Sequence, residues 1–193
     1  MKAEQLLSTH VFGETYIDLE KAYIEQLIAS IELLRRGDVD GRAISNFSFG
    51  WQSQDIPVTD GVFKKIASEI QNAAKIFCDT IDGLTYQQIK INNLWANINY
   101  ANDINWPHKH GGDISGAYYL DVFDNCGDLV LNSFNYTDNN KISSHLSRNK
   151  LWRKVKPENK KLVLFDSECV HSVLKNLSGK PRISLSFNLG IYD

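Results

Sequence analysis

The spacing of the apolar residues changes once along this chain, near Tyr86. Before that point, apolar residues recur every three or four positions in two segments, as they do on one face of a helix. After it, the sequence alternates with a period of two, which places Leu94, Ala96 and Ile98 on one face of a strand. The first part of the chain therefore predicts helices, and the second part predicts a β-rich core.

Two helices are predicted before Tyr86. The first follows Asp18, a residue type that favours helix N-caps, and ends at the glycine of RRGD. The second follows the turn sequence PVTDG. The apolar faces are formed by Leu19, Tyr23, Leu27, Ile31 and Leu34 in the first helix and by Val62, Ile66, Ile70, Ala73 and Phe77 in the second.

Short strands separated by turn residues are predicted for the rest of the chain. The strand-like segments are ISGAYYLDV, GDLVLNSF, KLVLF, VHSVL and RISLSFNLGIY, with DNCGD and NLSGKP among the turns. A chain of 193 residues suits one domain with a substantial core better than two domains. We therefore predict a single α+β, mainly β, domain over residues 1–193, in which residues 1–85 are mostly helical support packed on an antiparallel jelly-roll core at residues 86–193.

Charge and composition give no sign of a nucleic-acid or membrane partner. A formal net charge of -2 provides no overall attraction to polyanions or lipid headgroups. The apolar runs are too short to cross a bilayer, and the first residues lack the apolar core of a signal peptide. Three widely spaced cysteines (Cys78, Cys126 and Cys169) suit free thiols in a reducing compartment. We therefore expect a cytoplasmic protein.

Two histidines precede one of the predicted strands, in WPHKHGGDISGAYYL. Residues i and i+2 of a strand point to the same face, so His108 and His110 can direct two imidazoles at one metal ion. His171 begins another short strand and offers a third imidazole. Arg182 and Ser184 follow the turn sequence KNLSGK, and we expect Arg182 nearly opposite His171 on a paired strand. Because a guanidinium matches a carboxylate, these residues predict a metal site beside a carboxylate anchor.

The HxH pair, SGAYYL, LVLFDSECVHSV and RISLSFN occur in the order found in 2-oxoglutarate- and Fe(II)-dependent oxygenases. Within that superfamily the chain resembles a small oxygenase group found in bacteria and tailed phages, and SNFSFGWQS and NLWANIN extend the likeness upstream. The resemblance implies a double-stranded β-helix, the jelly-roll or cupin-like fold, with iron at the mouth of the barrel. If the chain is phage-encoded, it implies the host cytosol as its location.

The resemblance also implies a role for each site residue. It assigns metal binding to His108, His110 and His171. Arg182 matches the arginine that binds the distal carboxylate of the cosubstrate 2-oxoglutarate, and Ser184 matches the serine that assists it. Tyr119 matches a carboxylate-binding tyrosine of the prolyl-hydroxylase relatives. In this chemistry dioxygen oxidises 2-oxoglutarate to succinate and CO₂ while an unidentified substrate gains a hydroxyl group.

One position departs from the usual iron site of that superfamily, which has two histidines and a carboxylate. His110 occupies the carboxylate position, although the smaller group shows this form too. Three neutral ligands would also suit zinc or nickel. Asp113 is the alternative third ligand: it would face away on a regular strand, but a kink at Gly111–Gly112 could turn it back.

Several functions stay open on the sequence. The first hypothesis is a 2-oxoglutarate-dependent hydroxylase, with a slight preference for a protein side chain such as proline as the substrate. The alternatives are a three-histidine cupin-type oxygenase that does not use 2-oxoglutarate and a non-catalytic jelly-roll binding module. The segment Arg148–Lys161 carries seven basic residues and one acid, so it is either a solvated loop or a patch for an anionic partner. His145 is interpreted as a solvated loop residue or a substrate contact.

Overall fold

The computed structural model describes residues 10–42, 50–59, 61–132 and 152–193, together with the backbone of a short strand at residues 4–5. Within these ranges the chain forms two helices, and neither of them is long and apolar enough to span a membrane. The helices are α1 (Lys21–Gly37) and α2 (Phe63–Cys78). The strands are β1 (Glu4–Gln5), β2 (Val11–Tyr16), β3 (Trp51–Gln52), β4 (Gln88–Asn99), β5 (Asn105–His108), β6 (Ile114–Asp121), β7 (Leu129–Leu131), β8 (Arg153–Val155), β9 (Lys161–Asp166), β10 (His171–Val173) and β11 (Arg182–Tyr192).

The described strands form two antiparallel sheets. The major sheet has seven strands in the order β1-β2-β9-β6-β11-β4-β3, and the minor sheet has four in the order β5-β10-β7-β8. All neighbouring strands pair antiparallel, and strands distant in sequence lie side by side, as in a jelly roll. The predicted fold class is therefore confirmed.

Strand β11 shows how one alternating sequence serves two environments. It lies between β4 and β6, so both of its edges are hydrogen-bonded. Alternate side chains of a strand point to opposite faces of the sheet. Ile183, Leu185, Phe187 and Leu189 pack into the core beneath the helices. Arg182, Ser184 and Ser186 instead line a cavity between the two sheets.

The two helices cover the outer face of the major sheet. Helix α1 buries Ile24, Leu27 and Ile31, and α2 buries an apolar stripe that includes Ile66 and Ile70. Burial of each such side chain contributes about 1.5–3 kcal/mol to the free energy of unfolding. A second, smaller core lies between the sheets and includes aromatic and aliphatic side chains of both. The helices thus stabilise the sheet from outside and leave its inner face to the cavity.

Some local predictions are wrong. Asp18 does not cap α1: the residue before the helix is Glu20, which makes no side-chain cap, and Asp18 pairs with Lys160 instead. Leu34, predicted on the apolar face of α1, is 39% exposed. Residues 1–85 also contribute β2 and β3 to the major sheet, so this region is less purely helical than expected.

His171 and Arg182 do not lie on paired strands, contrary to the expectation. His171 pairs with His108 in the minor sheet, whereas Arg182 pairs with Asn99 in the major sheet. The turn sequence between them therefore carries the chain from one sheet to the other. Both side chains line the cavity, His171 from the minor sheet and Arg182 from the major sheet.

Candidate metal centre

Three histidine side chains converge at the cavity between the sheets. The nearest nitrogens of His108, His110 and His171 all lie within 4.8 Å of one another. The ring centroids of His108 and His171 are 4.3 Å apart, and each is 4.9 Å from that of His110. In the part of the chain that the structure describes, this is the only group of three or more metal-ligating side chains with such spacing.

Strand pairing brings these residues together from distant parts of the sequence. His108 at the end of β5 lies directly opposite His171 at the start of β10. His110 lies just beyond β5, where its backbone N–H donates to the carbonyl of Ser167 at 3.2 Å. His110 therefore leaves the strand, but its side chain still reaches the other two imidazoles.

Backbone carbonyls orient two of the imidazoles. Nδ1–H of His108 donates to the carbonyl of Trp106 at 2.6 Å, and Nδ1–H of His171 donates to that of Cys169 at 3.0 Å. A neutral imidazole that donates through Nδ1 presents the lone pair of Nε2. This is the outer hydrogen bond that metal-binding histidines usually make, and it fixes both the tautomer and the direction of the ligand.

The surroundings keep all three imidazoles neutral. Burial lowers the pKa of His108, despite its hydrogen bond to Trp106. Burial, assisted by His108 and the nearby Arg42 guanidinium, lowers the pKa of His110 to about 4. Burial and the two neighbouring histidines lower the pKa of His171 well below its ordinary value. The neutral form is the one that binds a metal ion.

The structure places Asp113 away from the three histidines. Its Oδ2 accepts a hydrogen bond from the backbone N–H of Ile191 at 2.7 Å, and its own N–H donates to Leu189 at 3.0 Å. It is absent from the metal-ligating group found among the described residues. Both contacts attach the loop after His110 to strand β11.

Arg182 lies in the cavity and forms no ion pair with a carboxylate of the described residues. It is only 3% exposed, and its Nη1 donates to the carbonyls of Cys126 (3.0 Å) and Gly127 (2.8 Å). Nη2 donates to the side-chain oxygen of Asn99 at 2.8 Å, and Nε has no hydrogen-bond partner among the described residues. Two acids that precede His171 in sequence are engaged elsewhere: Asp166 with His10 and Glu168 with Lys109. A buried cation held by neutral groups is a strong site for an anion.

Tyr119 and Ser184 lie beside Arg182. They are paired across β6 and β11, and both side chains line the cavity. Neither hydroxyl makes a hydrogen bond within the described ranges. Burial raises the pKa of Tyr119, so the phenol stays protonated and can donate. Tyr118, its neighbour in sequence, points to the opposite face and donates to the carbonyl of Ile17.

Polar residues of β4, which the sequence motifs did not assign to the site, complete the lining. Asn97 and Asn99 are 5% and 2% exposed, and they line the cavity together with Trp95. The signal was present in NNLWANIN, because two asparagines on the same face of a buried strand need polar partners. The free volume of the cavity is about 50 Å³.

The basic segment Arg148–Lys161 is only partly described. Its described cations all lie close to carboxylates: Arg153 to Glu14, Lys154 to Asp128, Lys156 to Asp124, Lys160 to Asp18, and Lys161 to Glu14 and Glu158. The positive charge of these described side chains is thus balanced within the molecule. His145 lies outside the described residues, together with the rest of residues 133–151 and with residues 43–49.

Comparison with known proteins identifies the family. The family model described as "Putative 2OG-Fe(II) oxygenase" matches residues 93–188, about half of the chain, and this range contains the three histidines and Arg182. No curated protein matches the chain. The chain belongs to the 2OG-Fe(II) oxygenase family, as the sequence indicated.

Solved structures show the same fold at low sequence identity. A prolyl-4-hydroxylase from Pseudomonas putida superposes with a TM-score of 0.64 at 15% identity, over 93% of each chain. HygX from Streptomyces hygroscopicus, with nickel and 2-oxoglutarate bound, gives 0.64 at 11% identity, over 93% of this chain and 82% of that one. A viral collagen prolyl hydroxylase from Paramecium Bursaria Chlorella virus-1, in complex with 2-oxoglutarate, gives 0.60 at 15% identity, over 93% and 96%. These likenesses cover nearly the whole chain.

Proposed function

We propose that the chain is an Fe(II)- and 2-oxoglutarate-dependent dioxygenase that hydroxylates a side chain of a protein substrate, with a prolyl residue as the first candidate. The observation that carries this proposal is the pairing of two features in one cavity. Three neutral imidazoles converge at 4.8 Å or less, and the buried guanidinium of Arg182 lines the same cavity without an ion pair to any carboxylate that the structure describes.

The residues present fit both groups. Imidazoles accept iron, nickel or zinc, and the fixed Nδ1–H bonds of His108 and His171 leave their Nε2 atoms for the metal. The unpartnered Nε–H of Arg182 and the hydroxyls of Tyr119 and Ser184 are donors that suit the far carboxylate of 2-oxoglutarate. Bound iron and 2-oxoglutarate supply the oxidation: dioxygen is consumed, 2-oxoglutarate becomes succinate and CO₂, and a substrate C–H becomes C–OH.

Charge balance favours a dianionic cosubstrate. Three neutral ligands leave the full +2 charge of the ion, and Arg182 adds a third positive charge that makes no ion pair with a described acid. In a buried site such charges attract an anion far more strongly than they do in water. The protein's own tasks are to bind the anion at both ends and to exclude water through the apolar wall of Leu129, Phe165 and Val173.

The substrate assignment rests on the proteins with the same fold. Two of the structures with the same fold are described as prolyl hydroxylases, and another is a prolyl hydroxylase in complex with a peptide fragment. The pocket beside His110 is lined by polar side chains such as Asn93 and Asn188, which can form hydrogen bonds with a peptide. A screen of proline-containing peptides for a mass gain of one oxygen tests this part separately.

The deciding experiment is succinate release from 2-oxoglutarate by the full chain reconstituted with Fe(II). We expect slow, iron-dependent release that disappears in His108→Ala and Arg182→Lys. Tyr119→Phe removes one hydroxyl and should weaken 2-oxoglutarate binding by about tenfold. Arg153→Lys, a surface substitution, is the matched control. Iron-dependent turnover of a substrate without 2-oxoglutarate would favour the three-histidine cupin-type oxygenase, and failure to bind any metal would favour a binding module.

A further inference from the structure

A second pocket adjoins the metal centre on the far side of His110 and Trp95. It has a volume of about 190 Å³ and is lined by Arg42, Gln52, Asp55, Asn93, Trp95, His110 and Asn188. The edge of the Trp95 ring meets His110, with 5.4 Å between the ring centroids. The proposed function places 2-oxoglutarate in the cavity at Arg182, so a second molecule needs other space beside the metal centre. The pocket next to His110 supplies that space.

The guanidinium of Arg42 lines one side of this pocket. It lies 5.4 Å from the centre of the Trp95 ring, and its Nη1 donates to Asp55 Oδ1 at 3.0 Å. Its Nε is buried and has no hydrogen-bond partner among the described residues. Asp55 is held from the other side, where its Oδ2 accepts from the Asn93 amide at 2.7 Å. The positive charge is therefore compensated, but a donor N–H remains unused.

Asn188 supplies a second donor. Its side-chain oxygen accepts from the Ser115 hydroxyl at 2.8 Å, so the orientation of its amide is fixed and its NH₂ group remains available to the pocket. The side-chain oxygen of Asn93 provides an acceptor, because the amide nitrogen of that residue is engaged with Asp55. The pocket thus offers donors and an acceptor of hydrogen bonds around a compensated ion pair.

We propose that this pocket binds an uncharged amide of the primary substrate, such as a peptide group, and that Arg42 and Asp55 act together as its specificity-determining pair. The inference rests on the proposed function, since it takes the neighbouring metal centre as the place of reaction. An amide has one acceptor and one donor, which match the two kinds of group in the pocket. A cation would meet Arg42 and the metal ion, and an anion would meet the carboxylate of Asp55.

Three planar molecules of equal size test the charge preference: acetamide, acetate and acetamidinium. They are titrated into the ¹⁵N-labelled full chain without metal, so that acetate cannot bind through a metal ion. The readout is the NMR shift of the Trp95 indole N–H and of the Asn93 and Asn188 amides. We expect acetamide to shift these signals most, with an affinity about fivefold above that of either charged molecule.

Two variants make the test specific. Arg42→Lys keeps the charge but removes the planar donors, and it should abolish the acetamide response. Asp55→Asn leaves Arg42 uncompensated and should transfer the preference from acetamide to acetate. Arg153→Lys is the matched control, because Arg153 also lies over an aromatic ring (Phe12) and also pairs with an acid (Glu14), but outside the pocket.

The outcomes separate this inference from the proposed function. A wild-type preference for acetate or acetamidinium would overturn the amide assignment, and so would an equal response to acetamide in Arg42→Lys. The absence of any response to the three molecules would also overturn it. Neither iron nor 2-oxoglutarate is needed, so a chain that shows the amide preference but releases no succinate refutes the dioxygenase proposal alone.

Discussion

Asp113 lies close to the histidines in sequence, but its hydrogen bonds are made with backbone groups of neighbouring segments. Its carboxylate accepts from the N–H of Ile191, and its backbone N–H and carbonyl contact Leu189 and Ser167. Ser167 in turn accepts from the N–H of His110. Asp113 therefore connects the His110 loop to strand β11, and we interpret it as a positioning residue rather than as a ligand.

This interpretation predicts different outcomes for two substitutions. Asp113→Asn keeps an oxygen that can accept from Ile191, so the affinity for nickel should change by less than about threefold. His110→Ala removes an imidazole and should weaken nickel binding by about tenfold or more. Calorimetric titration of both variants with nickel measures the difference. If Asp113→Asn lost as much affinity as His110→Ala, the carboxylate would be the third ligand after all.

Cys78 gives a prediction about pH. The thiol is fully buried at the end of α2, and burial raises its pKa from 9.0 to about 11. The folded state therefore favours the protonated thiol. Its contribution is fully present below pH 9 and is lost as the pH rises from 9 through 11, by up to about 2–3 kcal/mol.

Denaturant unfolding at pH 8 and pH 10.5 measures this loss in the wild type and in Cys78→Ala. The variant should be less stable at pH 8, because it leaves a small cavity, but its stability should fall less between the two pH values. Cys169, whose pKa burial also raises to about 11, and the tyrosines contribute to both curves and cancel in the comparison. Parallel pH dependence in the two proteins would contradict the assignment to Cys78.

At the scale of elements, the connection between β5 and β6 shapes the metal centre through two adjacent glycines. Gly112 has a φ of +120°, and a Cβ there would lie 3.2 Å from the carbonyl oxygen of Leu189. Gly111 has ordinary φ, and a Cβ there would meet nothing within 4 Å. Only the second glycine is required by the backbone conformation and by the close approach to β11.

Replacing each glycine by alanine tests this difference. Gly112→Ala should destabilise the fold by about 1–2 kcal/mol and lower the affinity for nickel, because the displaced loop carries His110. Gly111→Ala should leave both quantities nearly unchanged and is the matched control. Thermal unfolding and nickel titration of the pair give the answer. Equal effects of the two substitutions would mean that the loop adapts without strain.

The elements that sequence patterns predict are those with enough residues to show a period. Helices α1 and α2 and strands β4, β6 and β11 extend over 8 to 17 residues and were predicted from their apolar repeats. Strands β7 and β10 have only three residues each, but they lie in the predicted segments GDLVLNSF and VHSVL, which adjoin turn sequences. Strands β3 and β8, with two and three residues, contain no apolar run, and the proline in β5 argues against a strand. The i, i+2 spacing of His108 and His110 similarly predicted convergence, although His110 lies beyond the strand.

At the scale of the whole molecule, the site is formed by contacts that no local pattern contains. The three clustered histidines belong to the minor sheet and its flanking loop, whereas Arg182, Ser184 and Tyr119 belong to the major sheet. The pocket at Arg42 joins residues from before β3 to residues of β4 and β11. Likeness to a known family identified the histidines and Arg182, Ser184 and Tyr119 from the sequence. That Arg42, Asn93 and Asn188 lie together is visible only in the folded structure.

Because the two sheets contribute separate groups, ligands that bind to both should couple them. A metal ion present at 100 times its dissociation constant stabilises the folded state by about 2.7 kcal/mol. For a chain of this length that corresponds to a rise in Tm of about 5–10 °C. Nickel, which supports no turnover, should give this rise in the wild type and a much smaller one in His171→Ala.

Added 2-oxoglutarate should raise the Tm of the nickel-loaded chain further, because it links the ion near the minor sheet to Arg182 on the major sheet. Arg182→Lys should keep the increment from nickel and lose most of the increment from 2-oxoglutarate, since the lysine lacks the forked donors. By linkage, nickel should bind more tightly in the presence of 2-oxoglutarate by the same factor as the reverse. An undiminished 2-oxoglutarate increment in Arg182→Lys would mean that the dicarboxylate is anchored elsewhere, and that the buried guanidinium only supports the carbonyls of Cys126 and Gly127.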